Sequence, residues 1–220
     1  MAIRISQTSK LNARSWSLEA RTTCPGSIGA DGELVDACQG CYAAPGGGYY
    51  VLEHVRAPRL ENQEDWKRPE WVDDMVAELD RDRYFRWFDS GDVYDIRLAK
   101  KILDVMTRTP WVKHWLPTRM HKFPKFREVL EAMESLPNVR VRYSSDSIRG
   151  EYTNEHGSVI YGKDQEPPKG TFACMAYTQR GNCGVCRACW DKGVKTVAYP
   201  QHGSLMKSVN RKVIMLKVAN

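Results

Sequence analysis

The segment Tyr84–Arg108 decides the predicted fold, and it reads Y-F-R-W-F-D-S-G-D-V-Y-D-I-R-L-A-K-K-I-L-D-V-M-T-R. Its first five residues are mostly aromatic, as is typical of a β-strand, and the polar residues 89–92 follow them. Asp95 can then cap a helix over residues 96–108, whose apolar residues share one face. A strand, a polar turn and a helix in this order form one βα unit.

The same order is repeated on both sides of this unit. The predicted strands cover residues 15–20, 84–88, 111–116, 139–143, 171–177, 196–199 and 213–218, and the predicted helices cover residues 69–79, 96–108 and 124–136. Repeated alternation of strand and helix favours a parallel sheet, so the predicted fold class is α/β. Because 220 residues are few for eight units, we expect a partial (β/α) barrel of about five or six βα units. Residues 148–170 are polar and rich in Gly and Pro, and they are predicted to form a loop.

The composition is that of an ordinary globular protein, with 42% hydrophobic and 27% charged residues. The formal net charge of +6 permits an anionic partner without requiring one. The first residues lack the apolar run of a signal peptide, and no window resembles a membrane span. We therefore expect a cytoplasmic protein without a membrane partner. In that compartment, closely spaced cysteines are more often metal ligands or redox groups than disulfides.

The seven cysteines fall into two groups. The upstream thiols, spaced C-x13-C-x2-C, are Cys24, Cys38 and Cys41, and the downstream thiols, spaced C-x8-C-x2-C-x2-C, are Cys174, Cys183, Cys186 and Cys189. We expect the upstream thiols to belong to a βα core over residues 1–170. The downstream thiols lie in a cysteine-rich segment, residues 171–220, which we expect to be part of the same compact unit.

The spacing of the downstream thiols favours a 4Fe–4S cluster, because structural zinc usually takes two separated C-x2-C pairs. Four-cysteine zinc is the alternative. The three upstream thiols would leave one iron of a 4Fe–4S cluster open, as metal chemistry requires. Two other arrangements stay open: zinc completed by His54 or His202, and one cluster that shares the seven cysteines differently.

Polar residues follow several predicted strands, at the end of the sheet where (β/α) barrels build their sites. The candidates for cofactor binding are Asp89, Ser90, Gly91, Asp92, Arg119, Ser144 and Asp146. Each has a plainer interpretation. The aspartates can close turns or cap helices, the serines can end a strand, and Arg119 can be a solvated loop residue.

Two resemblances follow from these motifs. The C-Q-G-C-Y-A sequence from Cys38 and the F-R-W-F-D-S-G-D sequence resemble the radical S-adenosylmethionine (SAM) fold. The F-R-W-F-D-S-G-D, W-L-P-T-R, V-R-Y-S-S-D-S and C-G-V-C-R-A-C-W sequences are similar to the phage family named after "gene product eighty-eight", over residues 15–203. This second resemblance implies a phage-encoded protein that acts in the host cytoplasm.

The radical SAM resemblance implies specific roles. The upstream thiols would hold the cluster, the S-G-D sequence would contact the SAM amino group, and Arg119 could pair with a carboxylate. Ser144 and Asp146 would lie where ribose or carboxylate contacts are made, and the downstream thiols would relay electrons or anchor a substrate. Most members space the first two cysteines by three residues rather than thirteen, so cluster binding is implied more directly than SAM cleavage.

Two other functions remain open, and so does whether the chain is an enzyme. Residues 111–127 interleave bases and aromatics, as in proteins that bind single-stranded nucleic acid, so a zinc-stabilised nucleic-acid-binding protein is one alternative. The other is a non-catalytic iron–sulfur protein that receives electrons from a donor protein. The residues identify no substrate.

Overall fold

A computed structural model describes residues 3–44, 52–152, 156–162 and 164–202. The strands are β1 (Ile5–Gln7), β2 (Arg14–Trp16), β3 (Tyr84–Trp87), β4 (Lys113–Thr118), β5 (Val139–Ser144), β6 (Gly157–Tyr161), β7 (Phe172–Ala173) and β8 (Val197–Pro200). The helices are α1 (Asp36–Gln39), α2 (Glu53–Asp65), α3 (Trp71–Glu78), α4 (Ile96–Arg108) and α5 (Arg127–Ser135).

All eight strands belong to one sheet, in the order β1-β2-β3-β4-β5-β6-β8-β7. Strand β1 pairs antiparallel with β2, and every other pairing is parallel. The predicted α/β class is therefore confirmed. Within the described ranges, β1 and β7 are the two edges of the sheet, so a closed barrel is not formed. Helical crossovers link β2 to β3, β3 to β4 and β4 to β5, which are fewer than the expected units.

The central βα unit forms as predicted. Strand β3 begins at Tyr84, and α4 covers the predicted residues 96–108. The Asp95 carboxylate caps this helix by accepting a hydrogen bond from the backbone N–H of Arg97 at 2.7 Å. The cap satisfies one of the N–H groups that a helix start leaves without a partner.

Other elements differ from the prediction. The expectation of a loop over residues 148–170 was wrong for Gly157–Tyr161, which forms β6 with Val159 fully buried, whereas the other described residues of this range form no helix or strand. Strand β1 and helix α2 were not predicted; α2 contains Pro58, a residue that usually breaks a helix. Helix α5 begins three residues late, after a 3-10 turn at Pro124–Phe126. The predicted strand 213–218 lies outside the described residues.

The two faces of the sheet differ in chemistry. One face packs against α3, α4 and α5 through apolar side chains such as Trp16, Phe85 and Trp87. The residues between them in sequence point to the opposite face, which we call the inner face. One row of it, aligned across four strands, consists of Ser15, Arg86, Trp115 and Arg140.

The inner face is covered by residues 183–195, which we call the downstream segment. Trp190 in this segment is 6% exposed and packs edge-on against Tyr84 and Trp115, with ring centroids 5.5 and 5.4 Å away. Its indole N–H donates a hydrogen bond to the Phe85 carbonyl at 2.9 Å. The described part of the cysteine-rich segment, residues 171–202, thus packs on the same sheet as the βα core.

Candidate metal centres

The upstream thiols lie in the same region, at the carboxyl end of the parallel strands. Cys24 follows β2, Cys38 lies in α1 and Cys41 comes directly after α1. Burial raises the pKa of Cys24 to about 12, and the charges of Asp92, Cys38 and Cys41 contribute to the rise. The three sulfur atoms are therefore within electrostatic reach of one another and of the polar turn after β3.

Ser90 joins this turn to the chain after β2. Its hydroxyl donates to the Leu18 carbonyl at 2.8 Å and accepts from Nε of Arg59 at 2.5 Å. The Leu18 N–H in turn donates to the Ser90 carbonyl at 3.0 Å. The serine hydroxyl is thus occupied by contacts within the protein.

Gly91 lets the same two loops approach closely. Its φ of +80° is in the left-handed region that favours glycine. A Cβ atom here would lie 2.7 Å from both the Leu18 Cβ and the Thr23 hydroxyl oxygen. Glycine at this position therefore has a packing reason that is independent of any cofactor.

Asp92 ties the turn to the next strand. One carboxylate oxygen accepts from the Thr118 hydroxyl at 2.7 Å, and the other accepts from the Arg119 backbone N–H at 2.8 Å. Burial raises its pKa, while these hydrogen bonds lower it. Asp89 is more accessible than Asp92, and its carboxylate pairs with Arg86 at 2.8 Å and with Arg59 at 3.7 Å.

Arg119 and Asp146 connect the ends of β4 and β5. The Arg119 Nε donates to the Asp146 carboxylate at 3.2 Å, and Lys122 donates to the same carboxylate at 2.6 Å. The Asp146 carbonyl accepts the N–H of Ala37 at 3.0 Å, so α1 is attached here. Ser144, the last residue of β5, accepts a hydrogen bond from the Ser158 hydroxyl at 3.3 Å.

The structure thus gathers the predicted polar residues at the carboxyl end of the parallel strands, beside the upstream thiols. Their hydrogen bonds and ion pairs are made with other residues of the protein, as the plainer interpretation of turn-closing and strand-ending residues predicts. Whether any of them also binds a cofactor stays a prediction.

The downstream thiols line a single small cavity. All four contribute to its wall, and its volume is about 20 Å³, which is roughly the space of one water molecule. Burial raises the pKa of Cys189 to about 11, and its sulfur lies 3.2 Å from the Tyr199 hydroxyl. The pKa values of Cys174 and Cys183 are also raised, first by burial and then by neighbouring thiols.

The donor chemistry of both groups suits a soft metal, although their geometry is not that of a formed centre. All seven cysteines are free thiols. Among the described residues, no three His, Cys, Asp or Glu side chains are arranged as a ready metal-binding group. His202, one candidate for a fourth zinc ligand, has its Nε2 2.7 Å from the Tyr177 hydroxyl. Thiolate is nevertheless the ligand that zinc and iron–sulfur clusters select, so the donor set fits such a group.

The inner-face arginines were missed at the sequence level. Arg140 and Arg142 point to this face from β5, and Arg86 does so from β3. The signal was the alternation V-R-V-R-Y, since a parallel strand buried on both faces is normally apolar at every position.

Residues 111–127 are largely part of the folded core. Trp115 and Phe126 are buried, whereas Trp111 is 41% exposed. Two of the bases, Arg119 and Lys122, pair with Asp146. Nucleic-acid binding through this segment stays a prediction, with fewer rings accessible for stacking than the sequence alone indicated.

The fold and the sites define a class of protein: an α/β protein with one thiol group at the carboxyl edge of its sheet and another over its inner face. The chain belongs to the family described as Gene product 88, whose model matches residues 2–192 and so includes all seven cysteines. This membership agrees with the expected phage origin. No curated protein and no solved structure matches the chain. None of the helices in the described ranges is long and apolar enough to cross a bilayer.

Proposed function

We propose that the protein binds iron–sulfur clusters, with an open 4Fe–4S cluster on the upstream thiols and a closed one on the downstream thiols. The observation that carries the proposal is the separation of seven free thiols into a group of three and a group of four. Three protein ligands leave a coordination position for a substrate or cofactor, whereas four do not.

The location of the upstream thiols supports a catalytic role over a purely structural one. They lie where the carboxyl ends of β2 to β5 meet, and this end builds the sites of (β/α) barrels. The consecutive order from β2 to β6 is also the strand order of a partial barrel. When bound, a reduced cluster with an open iron supplies the electron for reductive cleavage of SAM, as in the radical SAM fold that the sequence resembles.

The chain's own residues divide into two sets under this proposal. Ser90 and Asp92 are buried and fully engaged, so they hold the turn in position. Asp89 and Asp146 keep exposed carboxylate surface, with side chains 26% and 41% exposed. These two, with Arg119, are the groups that could contact the amino or carboxylate groups of SAM.

Anaerobic purification followed by analysis of iron, sulfide and zinc tests cluster binding. We expect the wild-type protein to hold iron and acid-labile sulfide. A Cys24→Ser, Cys38→Ser, Cys41→Ser variant should keep only the downstream centre. A Cys183→Ser, Cys186→Ser, Cys189→Ser variant should keep only the upstream one. Stoichiometric zinc without sulfide would overturn the proposal.

SAM chemistry needs its own experiment. The reduced, cluster-loaded protein should bind SAM and release 5′-deoxyadenosine, and Asp89→Asn should weaken SAM binding. If neither binding nor 5′-deoxyadenosine is detected, the protein is a non-catalytic carrier that exchanges electrons with a donor protein.

A zinc-stabilised nucleic-acid-binding protein is the second candidate. The observation that favours it is the downstream cavity, whose volume of about 20 Å³ suits a single ion better than a four-iron cluster. Salt-dependent binding of oligonucleotides by a colourless, zinc-loaded protein would support this candidate.

A further inference from the structure

Arg142 makes an unusual set of contacts on the inner face. Its side chain is fully buried, and its Nε donates to the Cys189 carbonyl at 2.9 Å. The two Nη atoms donate to the carbonyls of Ala188 (2.7 Å), Asp191 (3.2 Å), Val194 (3.1 Å), Lys195 (3.1 Å) and Gly157 (3.4 Å). Five of these six acceptors belong to the downstream segment.

Arg140, two residues earlier, also donates to the Val194 (2.7 Å) and Lys195 (3.3 Å) carbonyls, but its charge has a partner. Arg140 pairs with the Glu134 carboxylate at 2.7 Å, which offsets its charge. Arg142 has no carboxylate within ion-pairing distance among the described residues, and its hydrogen-bond acceptors are all backbone carbonyls. Carbonyl dipoles satisfy its N–H groups, but they leave its positive charge without a counter-ion. A buried charge of this kind is costly unless something nearby compensates for it.

The surrounding inner face carries further donor groups, although the charge of Arg86 is itself paired with Asp89. Arg86 lies on the same face, with its guanidinium carbon 4.6 Å from the centroid of the Trp115 ring. Within the described residues, four buried donor atoms of one inner-face row have no hydrogen-bond partner: Ser15 Oγ, Arg86 Nε, Trp115 Nε1 and Arg140 Nε. Unpartnered donors and an unpaired guanidinium both favour a negative centre above them.

The downstream thiols can provide that negative centre. Four thiolates around a divalent ion carry two more negative charges than the ion neutralises, and a four-thiolate iron–sulfur cluster is also an anion. Cys189 is adjacent to this region, because its carbonyl is held by Arg142.

We propose that Arg142 positions the downstream segment on the inner face and balances the negative charge of a thiolate-bound metal centre held there. The charge-balancing part rests on metal binding by the downstream thiols, whereas the positioning part does not. It follows that the segment is docked on the inner face before metal arrives.

Two substitutions separate geometry from charge. Arg142→Lys keeps the positive charge but loses the planar fork that reaches several carbonyls at once. Arg142→Met removes both. Arg97→Met is the control, because it removes the same type of charge from an exposed position on α4, away from the inner face.

The first measurement is amide hydrogen exchange of residues 183–195 in chelator-treated, metal-free protein. We expect protection in the wild type and in Arg97→Met, and at least a tenfold loss of protection in both Arg142 variants. Exchange in α3, which contains none of the substituted residues, reports whether the rest of the fold is intact. A metal-free wild type as unprotected as Arg142→Met would overturn the positioning role, and so would full protection in Arg142→Lys.

The second measurement is zinc affinity, by competition with a chromophoric chelator, in a background where the upstream cysteines are serine. Arg142→Met should lose roughly 100-fold in affinity and Arg142→Lys roughly tenfold, since only the lysine retains the charge. Equal losses in the two variants would overturn the charge-balancing role. Because exchange is measured without metal, failure of the proposed iron–sulfur function leaves the positioning result unaffected.

Discussion

The upstream and downstream thiols share their chemistry, but the fold holds them by different forces. The upstream thiols lie on loops fastened at the sheet edge by a glycine turn and by partly exposed ion pairs, as Gly91 and Asp146 illustrate. The downstream segment is fastened by buried packing around Trp190 and by the carbonyl contacts of Arg142.

This difference indicates a division of labour. A loop held at the sheet edge keeps polar groups accessible beside three thiols, which suits a site that must admit a small molecule. The downstream segment packs against the inner face and supplies three of the four thiols around one small cavity, and Cys174 supplies the fourth. This cavity leaves little room for anything beyond a metal centre. Under the proposed function, the same residue type would serve an open site in one region and a closed one in the other.

Trp190→Ala should have the largest effect on stability, because it tests the buried attachment. Removing this ring from between Tyr84 and Trp115 should lower the free energy of unfolding by about 3–5 kcal/mol. Urea denaturation measures the loss. Trp111→Ala is the matched control: its ring is 41% exposed, and we expect a loss of less than about 2 kcal/mol. Equal losses would mean that the packing of Trp190 on the inner face stabilises the fold no more than a partly exposed tryptophan does.

Gly91→Ala tests the attachment of the upstream loops. The new methyl group would meet Leu18 and Thr23 at 2.7 Å in a backbone conformation that already strains alanine, so we expect a loss of about 2–4 kcal/mol. Gly32→Ala is the control, with a φ of +81° and no atom within 4 Å of the added carbon. It should lose only about 1 kcal/mol, which is the backbone contribution alone. The free energy of unfolding of both variants is measured by thermal or urea denaturation. If both variants lose the same amount, the space between Gly91, Leu18 and Thr23 can accept a methyl group.

The third prediction concerns β4, which contributes to both attachments. His114 in this strand accepts a hydrogen bond from the Trp87 indole at its Nδ1 and contacts the Thr109 hydroxyl through Nε2. Burial lowers the pKa of His114 to about 3. Because the unfolded chain takes up this proton near pH 6.5, the contribution to stability is complete above that pH and is lost as the pH falls from about 6.5 towards 3.

Between pH 7.5 and pH 5.5 this group should remove about 1.4 kcal/mol from the free energy of unfolding. The measurement is urea denaturation at the two pH values. In His114→Gln the difference between the two values should shrink by that amount, whatever the absolute stability of the variant. An unchanged difference would show that the pKa of His114 is the same in the folded and the unfolded chain.

Asp146→Asn should have the smallest effect, because it tests partly exposed ion pairs. Its pairs with Arg119 and Lys122 should contribute about 0.5–1 kcal/mol at low ionic strength and less in 1 M salt. Glu61→Gln, which breaks the more exposed pair with Arg4, is the control and should change stability less. A loss of several kcal/mol, or one that salt does not reduce, would mean that the upstream loops depend on Asp146 as strongly as the downstream segment depends on Trp190.

Local patterns predicted the elements whose signals lie within a few residues. Helix α4 was predicted with its cap because Asp95 and the apolar stripe are adjacent in sequence. Helix α2 was missed because it contains Pro58, which disfavours a helix. Strand β6 was missed because the residues around it are rich in Gly and Pro. In both cases tertiary burial outweighed the local preference.

The sequence by itself determined the α/β class, the division of the thiols into three and four, and the gathering of polar residues at strand ends. Only the tertiary structure decided that the downstream segment covers the inner face and that Arg142 binds its carbonyls. It also decided that two loops approach each other closely at Gly91. These contacts join residues that are about 50 to 100 positions apart in several cases, such as Arg142 with Cys189 and Trp190 with Phe85. Local propensity carries no information about such pairs, because they exist only once strand register has brought the side chains to one face.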